Sequence, residues 1–239
     1  MKQLFHFSLL LLALMLPATA SAYDFEVDGI YYNINGNEAT VTHKNWSFGA
    51  YSGSVVIPIT VTYNGTTYRV TAIDVYAFSG CTGLTSIDIP NSVTEIGGWA
   101  FSGCSGLTSI TIPNSVTTIN GLTFSGCTGL TSIDIPNSVT SIGPSAFQDC
   151  SGLTSIVMPK YLTEISESTF YGCTSLTSID IPNSVTEIGE NAFAYCRGLT
   201  SIHIGNSVTS IGDGLFFFCP ALTSIVVESG NPKYDSRNN

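Results

Sequence analysis

Apolar residues recur along most of this chain at one fixed spacing. The tetrad Leu-Thr-Ser-Ile begins at 84, 107, 130, 153, 176, 199 and 222, a 23-residue interval with no slippage. Self-similarity at such a period predicts a solenoid, in which each unit stacks only on its neighbours. Within a unit, Leu84, Ile87 and Ile89 mark the inward side of a short strand, and Leu130, Ile133 and Ile135 repeat them. Pro90, Pro113, Pro136, Pro159 and Pro182 follow the strand, where a missing N–H stops the ladder. Val93 and Ile96 add a second apolar pair. A column of Gly97, Asn120, Gly143, Ser166, Gly189 and Gly212, with Asp74 ahead of it, gathers the residues that best tolerate left-handed backbone, so a tight corner is expected there. The spacing of Ala100, Phe101, Cys104 and Leu107 suits a single short helical turn. A Phe column runs unbroken through Phe78, Phe101, Phe124, Phe147, Phe170, Phe193 and Phe216.

The pattern is different before residue 72. From Tyr23 to about Thr71 the chain is rich in Tyr, Val, Thr and Asn and lacks the 23-residue register. Ile30 to Ile34 and Ala39 to Thr42 read as strands joined around Asn35-Gly36. Ile59 to Tyr63 and Thr66 to Val70 read as a hairpin turned by Asn64-Gly65, since both turn residues tolerate positive φ. An open solenoid end needs an atypical covering unit, so residues 23–71 are expected to be an N-terminal β-hairpin cap, with the solenoid over 72–227. Val70 and Ile73 already fall in register as a partial first unit. Residues 228–239 form a polar tail. Nothing there mirrors the N-terminal unit, which points to a truncated chain, a short loop cap being the alternative.

These residues resemble the leucine-rich repeat proteins, whose strand pattern is Leu-x-x-Leu-x-Leu. More closely, Leu130-Thr131-Ser132-Ile133-Asp134-Ile135-Pro136-Asn137-Ser138-Val139-Thr140-Ser141-Ile142-Gly143, with Ala146-Phe147 and Cys150, resembles the 23-residue BspA-like subclass of bacterial and trichomonad surface proteins. The fold expected is a β-rich leucine-rich-repeat solenoid of about seven units, a right-handed α/β coil with one short strand and one short helical turn per repeat. The resemblance implies a secreted or surface-displayed, non-enzymatic binding protein, some members being adhesins for host matrix proteins or other cells. The family motif fixes no functional residues.

Composition narrows the partners. The chain has 239 residues and a formal charge of −10. Lys2, an apolar run from Leu4 to Leu16 and the small residues Ala20-Ser21-Ala22 read as an export signal over residues 1–22. Removing Lys2 leaves six basic against 17 acidic residues, a charge of −11. That balance argues against nucleic acid, which needs a basic footprint, and against anionic lipid. No cysteine precedes Cys81, so a lipid-modified cysteine just after the apolar run is excluded, and no membrane-spanning segment is expected after signal removal. The reading is secreted or cell surface, with a protein or a glycan as partner and no cofactor.

Candidate chemistry is sparse. Beyond the signal only His43 and His203 are present, and there is no HExxH, nucleophile elbow or phosphate loop, so no catalytic site is expected. Cys81, Cys104, Cys127, Cys150, Cys173, Cys196 and Cys219 occupy one column. Equivalent side chains on stacked turns point in parallel, whereas a disulfide needs converging Cβ vectors, so buried free thiols are expected, and no metal site. Between the two inward strand isoleucines lie Asp88, Thr111, Asp134, Val157, Asp180 and His203, then Val226. This column varies where its neighbours repeat, and it should face the concave side, beside an unbroken ladder of Ser86 and its equivalents. It is the candidate partner-binding column. Trp99, Leu122, Tyr171, Tyr195, Phe217 and Phe218 form irregular apolar points on the opposite side. A second reading of the whole is a rigid spacer that displays a further domain.

Overall fold

A computed structural model describes residues 22–45 and 49–236. The expected export signal at 1–22 lies outside the described residues except for Ala22. The described chain is a β-solenoid of about seven turns, preceded by a small sheet that runs into it without a break.

The N-terminal sheet contains β1 (Phe25–Val27), β2 (Ile30–Asn35), β3 (Glu38–Thr42), β5 (Thr60–Tyr63) and β6 (Thr66–Ile73) in the order β1-β2-β3-β6-β5. β2 and β3 are antiparallel, as are β5 and β6. The second hairpin turns through Asn64 and Gly65 at φ 48° and 78°, the left-handed pair that an Asn-Gly turn supplies. β3 and β6 are parallel, Val41 facing Ile73, and β6 is parallel to Glu95–Ile96. The column Val41, Ile73, Ile96 therefore passes from the leading sheet into the solenoid. β4 (Gly53–Val56) joins the other side, parallel to β7 (Leu84–Asp88).

Most turns carry two short rungs rather than one. The first is the Ser-Ile-Asp-Ile segment: Ser178–Ile181, Ser201–Ile204 and Ser224–Val227 stack in parallel, Ile179 beside Ile202 and Ile202 beside Ile225. The second is a two-residue strand such as Glu164–Ile165, Glu187–Ile188 and Ser210–Ile211. In parallel ladders identical residues sit side by side, so an invariant column becomes an invariant core layer.

No helix occurs among the described residues, and the expected helical turn is replaced by β-turns. The reason is visible in two left-handed positions four residues apart. Tyr76, Trp99, Leu122, Ser145, Ser168 and Asn191 have φ of 54–61°, and so does the column Gly80, Gly103, Gly126, Asp149, Gly172, Tyr195 and Phe218 at 56–73°. Helical φ between them cannot propagate. N–H groups along this side alternate instead: Trp99, Phe101 and Gly103 donate to Gly121, Thr123 and Ser125 of the next turn, while Ala100, Ser102 and Cys104 donate three residues back. Spacings of one, three and three fit both arrangements, which is why the pattern misled.

The expected left-handed column at Gly97 and its equivalents is also corrected. The left-handed residues lie two positions later, and the glycines serve close approach. A Cβ on Gly143 would lie 2.6 Å from the Gly121 nitrogen of the preceding turn, and one on Gly189 2.5 Å from that of Glu167.

The core is continuous through both parts. Phe78 to Phe193 are fully buried, with consecutive rings 5.1–5.5 Å apart and within 11° of parallel. Tyr51, in the segment before β4, caps this stack 4.5 Å from Phe78. Its hydroxyl donates to the Thr42 carbonyl at 2.6 Å and accepts from Tyr31 N–H at 3.2 Å. At the other end Ile211, Phe216, Cys219, Leu222, Ile225 and Val227 are only partly buried. The tail crosses one side of that end: Asn231 Nδ2 donates to the Gly205 and Val208 carbonyls, and Lys233 Nζ to Thr209.

Candidate interaction face

The outer face of the longer rungs follows from strand alternation. Ile87 and Ile89 turn inward, so Ser86 and Asp88 turn outward. Asp88, Thr111, Asp134, Val157 and Asp180 are exposed, Val157 at 72%, and His203 is half-buried. Backbone pairing joins the candidates directly: Thr111 bridges Asp134, Asp134 pairs with Val157, and Asp180 with His203. They lie at the same position of successive turns, paired in separate short stretches, and the carboxylates of Asp88, Asp134 and Asp180 alternate with Thr111, Val157 and His203. The alternation keeps like charges off directly adjacent rungs, where they would repel.

One end of this ladder was not read from the sequence. Val56 of β4 pairs with Asp88 and is 63% exposed, so the column begins on β4, ahead of the repeats. That segment has no 23-residue register, and no periodicity argument finds it. Val226, paired with His203, closes the ladder. Beyond it Glu228 places Oε2 3.0 Å from His203 Nε2, while His203 Nδ1 stands 3.9 Å from Asp180 Oδ1. His203 is thus held between two carboxylates on neighbouring turns. Its two nitrogens face different partners, an arrangement for ion pairing rather than convergence on one metal. No cluster of three or more metal-ligating side chains occurs among the described residues.

Near the start of the ladder a groove of about 650 Å³ is lined by Asp88 and Thr111 together with Ile59, Arg69 and Asn114. Arg69 comes from β6, and it sets a cation beside an otherwise acidic column. Sequence distance hid it, because β6 lies in the leading sheet.

Hydroxyl ladders brace the scaffold on either side. Thr154 and Thr200 Oγ1 donate to the carbonyls of Thr131 and Thr177, each 23 residues back. The cysteines are free thiols, buried from Cys81 to Cys196 and half-buried at Cys219. Each Sγ–H from Cys104 to Cys219 donates to a Phe carbonyl 26 residues back, at 3.0–3.2 Å. Burial pushes the Cys150 and Cys196 thiols up to about 12, so they stay protonated and unreactive at neutral pH. No helix among the described residues is long and apolar enough to cross a membrane.

Comparison with known proteins agrees with this geometry. A model of the BspA-type leucine-rich repeat region matches residues 59–151 and 123–237, in six copies. The crystal structure of a leucine-rich repeat protein from Bacteroides ovatus is similar at 29% identity and TM-score 0.55, over 87% of this chain and 72% of that one. The leucine-rich repeat protein of T. pallidum is similar at 29% identity and TM-score 0.52, over 86% and 83%. No curated protein matches. That match spans well over half of the sequence, and the chain belongs to the BspA-type leucine-rich repeat family.

Proposed function

We propose that this protein is an exported, non-enzymatic binding module that engages a protein or glycan at the cell surface through the ladder from Val56 to Val226. Repeat proteins of this kind bind partners with an extended face and are generally not enzymes. The single observation that carries the reading is the contrast between columns. Every other position of the longer rung is nearly constant, whereas the exposed column between the isoleucines carries Asp, Thr, Val and His on successive parallel rungs. Side chains that neither pack nor brace the scaffold are free to specify a target. The export signal expected at residues 1–22 supports an encounter outside the cell, with adhesion to matrix or to other cells as the role.

The test is a binding panel of matrix proteins and glycans with wild type and the variant Asp134→Ala/Asp180→Ala/His203→Ala. The expected outcome is unchanged melting and at least about a tenfold loss of affinity for whatever wild type binds, equivalent to about 1.4 kcal/mol. Equal binding by the two proteins removes the ladder from the function.

A further inference from the structure

The groove near the start of the ladder differs from the rest of the array in how its polar side chains are used. An asparagine follows the longer rung in most turns, at Asn91, Asn114, Asn137, Asn183 and Asn206. In later turns it braces the stack. Asn137 Oδ1 accepts from the Lys160 N–H at 3.0 Å, and Asn183 Oδ1 from the Asn206 N–H at 2.8 Å. The Asn91 and Asn114 amides line the groove, are exposed, and make no hydrogen bond among the described residues.

Arg69 is unengaged in the same way. Lys44, Lys160, Arg197 and Lys233 each lie over an aromatic ring, 5.2–5.6 Å from its centroid. The Arg69 side chain has neither a ring nor a carboxylate partner among the described residues. Glu38, opposite Arg69 in the β3–β6 pairing, takes a hydrogen bond from Thr71 Oγ1 at 3.0 Å instead. Asp88 is the one carboxylate among the described residues that line the groove. Between these polar groups the lining is apolar, with Ile59, 58% exposed, beside Pro90 and Pro113. A volume of about 650 Å³ lies within the range of small-molecule sites.

We propose that this groove is a saccharide subsite whose ligand carries a carboxylate, a sugar acid alone or within a longer glycan. The Arg69 guanidinium takes the carboxylate through a pair of N–H groups, a geometry that an ammonium lacks. Ring hydroxyls donate to Asp88 and bond to the Asn91 and Asn114 amides, each of which both donates and accepts. The C–H face of the ring lies on Ile59 and the two prolines. A neutral sugar leaves Arg69 without a counter-charge. An acidic peptide brings the carboxylate without the set of hydroxyls that serves Asp88 and both amides. The proposal rests on the ladder reading only in sharing Asp88 and Thr111, and it names what that end of the face takes.

The test is calorimetric titration of the protein with sialyllactose and trigalacturonate, each beside its methyl ester, and with a tetraglutamate peptide. Wild type is expected to bind at least one of the acidic saccharides, and to bind its ester at least about tenfold more weakly. Arg69→Gln should show a similar loss toward the acid, and Arg69→Lys should recover only part of it. Asn91→Ala/Asn114→Ala should also weaken binding, with no lower melting, since these side chains brace nothing. Asp134→Ala/Asp180→Ala/His203→Ala should keep the saccharide affinity, so failure of the ladder and failure of the groove are read separately. Binding of neither acidic saccharide overturns the proposal, as does equal binding of acid and ester. Undiminished binding by Arg69→Gln also overturns it, as does tetraglutamate binding as tightly as the sugars.

Discussion

Asn120 and Ser166 stand where other turns have glycine, and each solves the same spatial problem in the same way. Gly143 and Gly189 donate their N–H to the Ile119 and Ile165 carbonyls of the preceding turn. At Asn120 and Ser166 the side chain makes that bond instead, Nδ2 to Ile96 and Oγ to Ile142, both at 2.7 Å. Three residues on, where Gly143 and Gly189 are followed by Ala146 and Ala192, these two are followed by Thr123 and Thr169. Both threonines are buried, and each donates Oγ1 at 2.7 Å to the carbonyl of the corner residue. The pairing predicts coupling. Gly143→Asn alone should cost about 1–3 kcal/mol through overpacking, and adding Ala146→Thr should restore about 0.5–1.5 kcal/mol, the worth of one hydrogen bond. A double-mutant cycle read by urea melting measures this, and strictly additive changes would refute it. The glycine column was legible in the sequence and its purpose was not. Left-handed tolerance and the absence of a Cβ both select glycine, and only coordinates separate them. The true left-handed positions, Trp99 and Leu122 among them, carry residues that hide the conformation.

Among the elements, the Phe stack is the most uniform. Phe147 lies 5.5 Å from both Phe124 and Phe170, tilted by 11° and 2°. The ring is fully buried, so Phe147→Ala should open an interior cavity and cost about 3–5 kcal/mol in a denaturant melt. A loss below about 1 kcal/mol would show that the neighbouring rings close the gap. Periodicity alone located this column, the Leu and Ile columns and the cysteines, because stacking turns translates sequence period directly into contact. It could not settle the backbone on the Phe side. A three-residue hydrogen-bonded turn and a helical turn place Ala100, Phe101 and Cys104 on the same inward side, and the difference lies in where the N–H groups point.

At the scale of the molecule, the N-terminal part and the solenoid share two ladders, β3 with β6 and Glu95–Ile96 from the leading sheet, and β4 with β7. Tyr51 ties them further by capping the Phe stack while its hydroxyl holds Thr42. One cooperative transition on thermal or urea unfolding is therefore expected. Tyr51→Phe should lower it by about 1–3 kcal/mol by leaving buried backbone groups unpaired. Two separated transitions in wild type would mean that the shared ladders do not couple the parts. Tyr51, Val56 and Arg69 all act on the solenoid from outside its repeat register, so no spacing argument reached them. The ladder from Asp88 to His203 was legible because strand alternation and the repeat fix which residues share a face.

The bonds that join successive turns have a further consequence. Asn120, Ser166 and the cysteines all reach back to main-chain carbonyls rather than to particular side chains. Every turn presents those carbonyls, whatever its residues, so a turn has no means of recognising which turn precedes it. An array joined in this way can gain or lose a whole unit by duplication or deletion without any compensating change at the new junction. Length, and with it the number of outward positions on the ladder, is then free to drift between lineages while the core stays the same.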